Sequence, residues 1–138
     1  MTLCWFKMAR PASIHPTDFE LAVLKVLWQD SPQTVRSIRE RLAKNGRDNA
    51  HTSVITMLNI MVDKEYLDKN KEGKSYLFWP IVSQNDVLQK MLGDMVNRAF
   101  DGSAKSLMLN LIDAEDIDRA ELLELRKRIN QKMKEQKE

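Results

Sequence analysis

Cysteine occurs once, at Cys4, and histidine twice, at His15 and His51. One cysteine forms no internal disulfide, which suits a reducing cytosol as the expected compartment. Two isolated histidines, with no HExxH segment, no Cys/His cluster and no glycine-rich phosphate loop, give none of the constellations that catalysis or metal binding needs. No catalytic residue, metal or cofactor is therefore expected. Glycine and proline number only four each, and long helical patterns dominate between them. No uncharged apolar run reaches the roughly 18 residues of a membrane span, so no membrane insertion is expected. The opening Met1–Met8 stretch lacks the apolar region of a secretory signal. Charge of one sign is also missing: the net charge is +2, too little to mark a strongly basic partner for a polyanion.

What is present is a globular composition, 43% apolar and 30% charged over 138 residues. That length suits a modest domain, or a small one with an extension. Residues 1–82 carry 12 Lys/Arg against 9 Asp/Glu, and residues 83–138 carry 10 against 11. The front segment is thus the better match for a polyanion, by a small margin.

The stretch Asn49–Glu65 organises the chain. Val54, Met57, Leu58 and Met61 recur at helical spacing and form one apolar face. The other face offers Thr52, Ser53, Ile55, Thr56 and Asn59, short side chains that let a helix approach a surface closely. A DNA major groove admits a helix and presents donors, acceptors and thymine methyls to such a face. An ordinary amphipathic helix with a solvated Ser/Thr face has the same pattern, so the neighbouring segments decide the reading.

Two helices precede it. Thr17-Asp-Phe-Glu20 has the spacing of a capping box, and the helix to about Gln29 is apolar on Leu21, Leu24, Leu27 and Trp28, widened by Phe19, Val23 and Val26. Only Glu20, Ala22 and Lys25 interrupt that run. Asp30–Thr34 reads as a turn, with Thr34 as N-cap of a second helix built on Val35, Ile38 and Leu42 and stopped by Asn45-Gly46. After the central helix, Tyr66–Pro80 reads as a hairpin turning at Gly73, with Lys69, Lys71 and Lys74 towards its tip. A hairpin directly behind the third helix of a helix-turn-helix is a wing. Winged helices place that third helix in the major groove and the wing against the backbone.

Beyond Ser83, capping patterns at Ser83–Asp86, Ser103 and Asp118–Glu121 open three helices. The first is broken by Phe100-Asp-Gly-Ser103, and the last carries Leu122, Leu125, Ile129 and Met133 on a near-heptad seam. The terminal Lys132–Glu138 is expected to fray. Three helices of about 55 residues bury broad apolar faces poorly alone, and a second copy would cover them. The expected fold is therefore mainly α with a small β-hairpin. It comprises a disordered N-terminal extension (1–15, with Met8 as an alternative translation start), a winged helix-turn-helix domain (16–82) and a three-helix dimerisation domain (83–138). Leu88, Met91, Met95, Phe100, Leu122, Leu125 and Ile129 are the expected dimer contacts.

Several segments together resemble the penicillinase repressor family, the BlaI/MecI type of bacterial winged-helix repressor, over roughly residues 16 to 130. They are Glu20 with Val26-Leu27-Trp28, then Thr34-Val35 with Ile38, and His51–Leu58. Glu72–Tyr76 through Trp79-Pro80 and Val82-Ser83 is the most specific part, followed by Phe100–Ser103 and Glu121–Leu125. The resemblance implies a homodimer on a pseudo-palindromic operator, blocking transcription. It also implies, for the β-lactam branch, a membrane sensor protease whose signal leads to cleavage in the C-terminal domain, here at the bond Asn110–Leu111. The chain departs from the family at Ile60 and Asp63, where basic residues are common, at Glu65, where glycine is usual, and at Leu111, where phenylalanine is usual. No cysteine follows Cys4, which excludes the thiolate copper switch of some relatives.

On this reading Thr52, Ser53, Thr56 and Asn59 face base edges and Ile55 meets a thymine methyl. Arg36, His51, Lys71 and Lys74 are phosphate contacts. The alternative is a winged-helix protein-interaction module without specific DNA binding, for which an apolar outward face on 52–59 would speak.

Overall fold

The computed structural model describes residues 15–137. The expectations for the N-terminal extension and for a start at Met8 lie outside the described residues, His15 excepted. The chain forms two compact units, one up to Gly93 and one from Asp94.

Helix α1 spans Asp18–Gln29 and opens on the capping box that its sequence announces. The Thr17 N–H donates to Glu20 Oε1 at 2.8 Å, and the Glu20 N–H donates to Thr17 Oγ1 at 3.2 Å. Glu20 does not interrupt the buried face: it is 1% exposed. Its second oxygen accepts from Lys64 Nζ at 2.9 Å, so a carboxylate buried among leucines is hydrogen-bonded and paired, as burial of a charge demands. Asp30–Thr34 is not only a turn. Gln33–Thr34 forms a short strand, β1, and the buried Gln33 side chain donates to the carbonyls of Val26 and Asp30 and accepts from Ser37 Oγ. The side chain thereby satisfies groups that the chain reversal would otherwise leave unpaired.

Helix α2 spans Val35–Lys44 with Thr34 as N-cap. It ends in a Schellman motif, in which Gly46 donates to Ala43 and Arg47 to Leu42, with Gly46 at φ +91°. Helix α3 spans His51–Asp63, and it closes the same way. Glu65 donates to Val62 and Tyr66 to Met61, but the left-handed position is held by Glu65, at φ +66°. Strands β2 (Leu67–Glu72) and β3 (Ser75–Pro80) make the wing, turning at Gly73-Lys74 with Gly73 at φ +61°. The sheet has three strands, not the two of a bare hairpin. Its order is β1-β3-β2, all antiparallel, with Gln33 opposite Phe78 and Lys69 opposite Phe78 on the other side.

The core of this unit lies between the three helices and the base of the wing. Val23, Leu24 and Leu27 meet Ile38 and Leu42 from α2, Val54, Leu58 and Met61 from α3, and Leu67 and Phe78 from the sheet. Trp28 Nε1 donates to the Val82 carbonyl at 2.9 Å, fixing the exit from the wing against α1. Helix α4 (Gln84–Ala99) begins under the Ser83 cap.

In the second unit the end of α4 leads through Asp101 and Gly102, both at positive φ, to α5 (Ala104–Ala114) and α6 (Arg119–Lys137). Ser103 caps α5, and Asp118 with Glu121 forms a reciprocal cap on α6. Helix α6 continues through Lys137, past the point where charge density suggested fraying. Neither α5 nor α6 has a buried residue.

Candidate nucleic-acid interface

Helix α3 separates its two faces as the sequence spacing requires. Val54, Leu58 and Met61 are buried, whereas His51, Thr52, Ser53, Thr56 and Asn59 are exposed and Ile55 is half-buried. The N-cap of α3 is Ala50, which makes no side-chain capping bond. The first N–H groups of the helix thus have no side-chain cap, and a helix N-terminus favours an anion. Sequence reading had not used Ala50. Residue type alone does not single it out, because Asp48, Asn49, Thr52 and Ser53 around it are all of the capping kind.

Thr56 Oγ1 donates to the Thr52 carbonyl at 2.9 Å. That bond uses the hydroxyl proton and leaves the oxygen lone pairs facing outward, so Thr56 presents an acceptor. Asn59 Oδ1 accepts from Lys69 Nζ at 3.1 Å. The same ammonium lies 4.8 Å from the centre of the Tyr76 ring. A side chain of the wing is therefore held between an aromatic face and the middle of α3. Lys69 and Tyr76 were not among the expected site residues. The signal for them is the two-residue period of the wing, which places Lys69, Lys71, Tyr76 and Phe78 on one face.

Between α3, the start of α2 and the wing lies an open concavity of about 470 Å³. Arg36, His51, Ile55, Asn59 and Lys74, five of the nine residues expected at the interface, line it together with Lys69 and Tyr76. Thr52, Ser53 and Thr56 stand on the exposed side of α3 outside it, and Lys71 is exposed on β2. Arg36 is almost fully exposed and reaches Glu40 at 3.2 Å, one turn along α2. Such a surface pair is weak and exchanges readily for a phosphate. Lys71 and Lys74 form no ion pair among the described residues. Arg39 and Arg41 are engaged elsewhere, with the Asn49 carbonyl and Asp30.

Of the residues expected at a dimer contact, Leu88, Met95, Leu122, Leu125 and Ile129 are exposed, at 39–52% of their surface. Met91 and Phe100 are half-buried. Asn110 and Leu111 sit inside α5, where Asn110 Nδ2 donates to the Ser106 carbonyl at 2.8 Å. No helix among the described residues is long and apolar enough to cross a membrane.

Three helices, a hairpin behind the third, and an exposed, mostly polar face on that third helix define a winged helix-turn-helix protein. A sequence profile of the penicillinase repressor family matches residues 16–131. The chain belongs to that family, the BlaI/MecI type of DNA-binding transcriptional repressor, and not to a class of enzymes. It is 26% identical, over 82% of its length and 91% of the relative's, to the methicillin resistance regulatory protein MecI of Mammaliicoccus sciuri. It is 28% identical to the penicillinase repressor of Bacillus licheniformis, covering 79% of this chain and 84% of that one. Among solved structures, the DNA-binding domain of the repressor BlaI aligns at 28% identity with a TM-score of 0.46, covering 51% of this chain and 84% of that one.

Proposed function

We propose that the chain represses transcription as a homodimer seated on a pseudo-palindromic operator. Helix α3 lies in the major groove, and Thr52, Ser53, Ile55, Thr56 and Asn59 meet base edges. Arg36, His51, Lys71 and Lys74 meet the phosphates on either side. The observation that carries this reading is the concavity in which Arg36 from α2, His51, Ile55 and Asn59 from α3 and Lys74 from the wing converge. A phosphate backbone running along it would meet cations from two separate elements and the uncapped start of α3.

The C-terminal helices supply the second copy. The exposed Leu122, Leu125 and Ile129 of α6 and the exposed Leu88 and Met95 of α4 are the faces it would cover. Two-fold symmetry then sets the half-sites about one helical turn apart, roughly 34–36 Å. Derepression by a membrane sensor protease would act at Asn110–Leu111. That bond lies within α5, so cleavage there requires the helix to unwind locally and would separate α6 from the rest of the chain.

The test is fluorescence anisotropy with the DNA upstream of the chain's own reading frame against a scrambled duplex, over a salt series. The repressor reading expects two chains per site and a preference of about 10³ or more at moderate salt. Equal, weak and steeply salt-dependent binding to both duplexes, repeated in a genome-wide selection of bound fragments, would replace it with a protein-interaction module.

A further inference from the structure

We infer that Lys69, in the wing, dictates which base Asn59 reads; the inference rests on α3 being the helix that enters the groove. An asparagine amide left to itself suits adenine, accepting from N6–H through Oδ1 and donating to N7 through Nδ2. Here Lys69 Nζ stands 3.1 Å from Oδ1. An ammonium only donates, so the amide oxygen must turn to it and the two N–H groups must turn away. A second contact favours this position of the lysine. Its ammonium is held over the Tyr76 ring at 4.8 Å, and the two residues are diagonal neighbours on one face of the wing, since Lys69 pairs with Phe78 and Lys71 with Tyr76.

The consequence is a change of chemical sense. Asn59 and Lys69 together present donors and a positive charge. A second lone pair remains on Oδ1, but an adenine N6–H directed there would lie beside the ammonium, donor against donor. The base edge that complements an all-donor pair is guanine, whose N7 and O6 both accept. The position reached by Asn59 is therefore read as guanine in this chain, and it would revert to adenine if the ammonium were removed. Lys69 is a specificity-determining residue acting on its neighbour, on a different element from the helix that reads the groove.

The experiment is selection from a pool of synthetic duplexes with a randomised central segment, using the full chain and its Lys69→Met, Lys69→Arg and Asn59→Ala variants, each checked for native circular dichroism. Asn59→Ala identifies the position by flattening the preference there. The expected result is guanine at that position for the natural sequence, a swing of about tenfold or more towards adenine in Lys69→Met, and a return to guanine in Lys69→Arg, which restores a cationic donor. Lys69→Met that leaves the preference intact, while weakening all duplexes alike and lowering the salt slope by about one, would make Lys69 a phosphate contact and overturn the inference alone. Adenine at the Asn59 position in the natural sequence would overturn it equally. A natural chain that enriches no sequence at all would remove the groove reading itself, and the inference with it.

Discussion

At Glu65 the backbone asks for a residue that the sequence does not supply. The Schellman closure of α3 needs a left-handed conformation there, and Glu65 adopts it at φ +66°. A side chain in that region costs about 1–2 kcal/mol, whereas glycine enters it freely and gives back about 0.5–1 kcal/mol through its looser unfolded state. Glu65→Gly is expected to raise stability by about 0.5–1 kcal/mol, seen as a higher urea midpoint at unchanged slope. Glu65→Ala keeps the Cβ and should give no such gain, which separates backbone strain from the loss of charge. One residue further on, Tyr66 is 6% exposed, and burial, with the charge of Glu20 adding to it, pushes its hydroxyl up from 10 to about 12. A raised pKa in the folded state means that folding holds a proton the unfolded chain gives up. Stability is intact below pH 10, falls as pH rises through 12 and levels off beyond. This is the tyrosine's share of the pH dependence alone. Unfolding of Tyr66→Phe followed from pH 9 to 12 should show a shallower decline; an identical decline in both proteins would mean that the Tyr66 hydroxyl does not carry it.

Helix α3 has to satisfy two demands at once, and substitutions on its two faces should separate them. Leu58 is fully buried among α1, α2 and the sheet, so Leu58→Ala is expected to cost about 2–5 kcal/mol of stability. Thr56 is exposed and bonded only to its own helix. Thr56→Ala should change stability by less than about 0.5 kcal/mol while costing about 1–3 kcal/mol of discrimination between operator and altered sites. Denaturation and competitive binding on the same two proteins check both halves. These faces were legible in the sequence because a 3.6-residue period is local. The capping pairs at Thr17, Ser83, Ser103 and Asp118 were legible for the same reason: each is closed within three residues. Strand β1 was not, since two residues carry no period and Gln33–Thr34 become a strand only by meeting Leu77 and Phe78. Glu20 looked like a break in an apolar run because its partner Lys64 is 44 residues away. The candidate site followed the same division. Arg36, His51, Ile55, Asn59 and Lys74, which line one concavity, could be singled out as candidates from residue type and spacing, while the hold of Lys69 on Asn59 needed the wing folded against α3.

On the scale of the whole molecule, the exposed apolar side chains of α6 set the affinity question. Leu122, Leu125, Ile129 and Met133 keep 40–62% of their surface exposed, along a helix whose near-heptad seam suits pairing with a second copy. If that pairing joins two winged-helix units, each operator half-site is bound by one unit while the other is held nearby at high effective concentration. Avidity of this kind adds about 10²–10⁴ in affinity without any new contact to DNA. Leu125→Glu with Ile129→Glu places charge on the seam without touching the core of the first unit. The double variant is expected to sediment as a monomer, to keep the affinity of the natural protein for a duplex carrying one half-site, and to lose about 10²–10⁴ in affinity for the full operator. Loss of half-site affinity as well would mean that α6 supports the winged-helix unit itself. A variant that sediments as a dimer with full operator affinity would move the pairing surface off α6, leaving the exposed Leu88 and Met95 of α4 as the next face to charge.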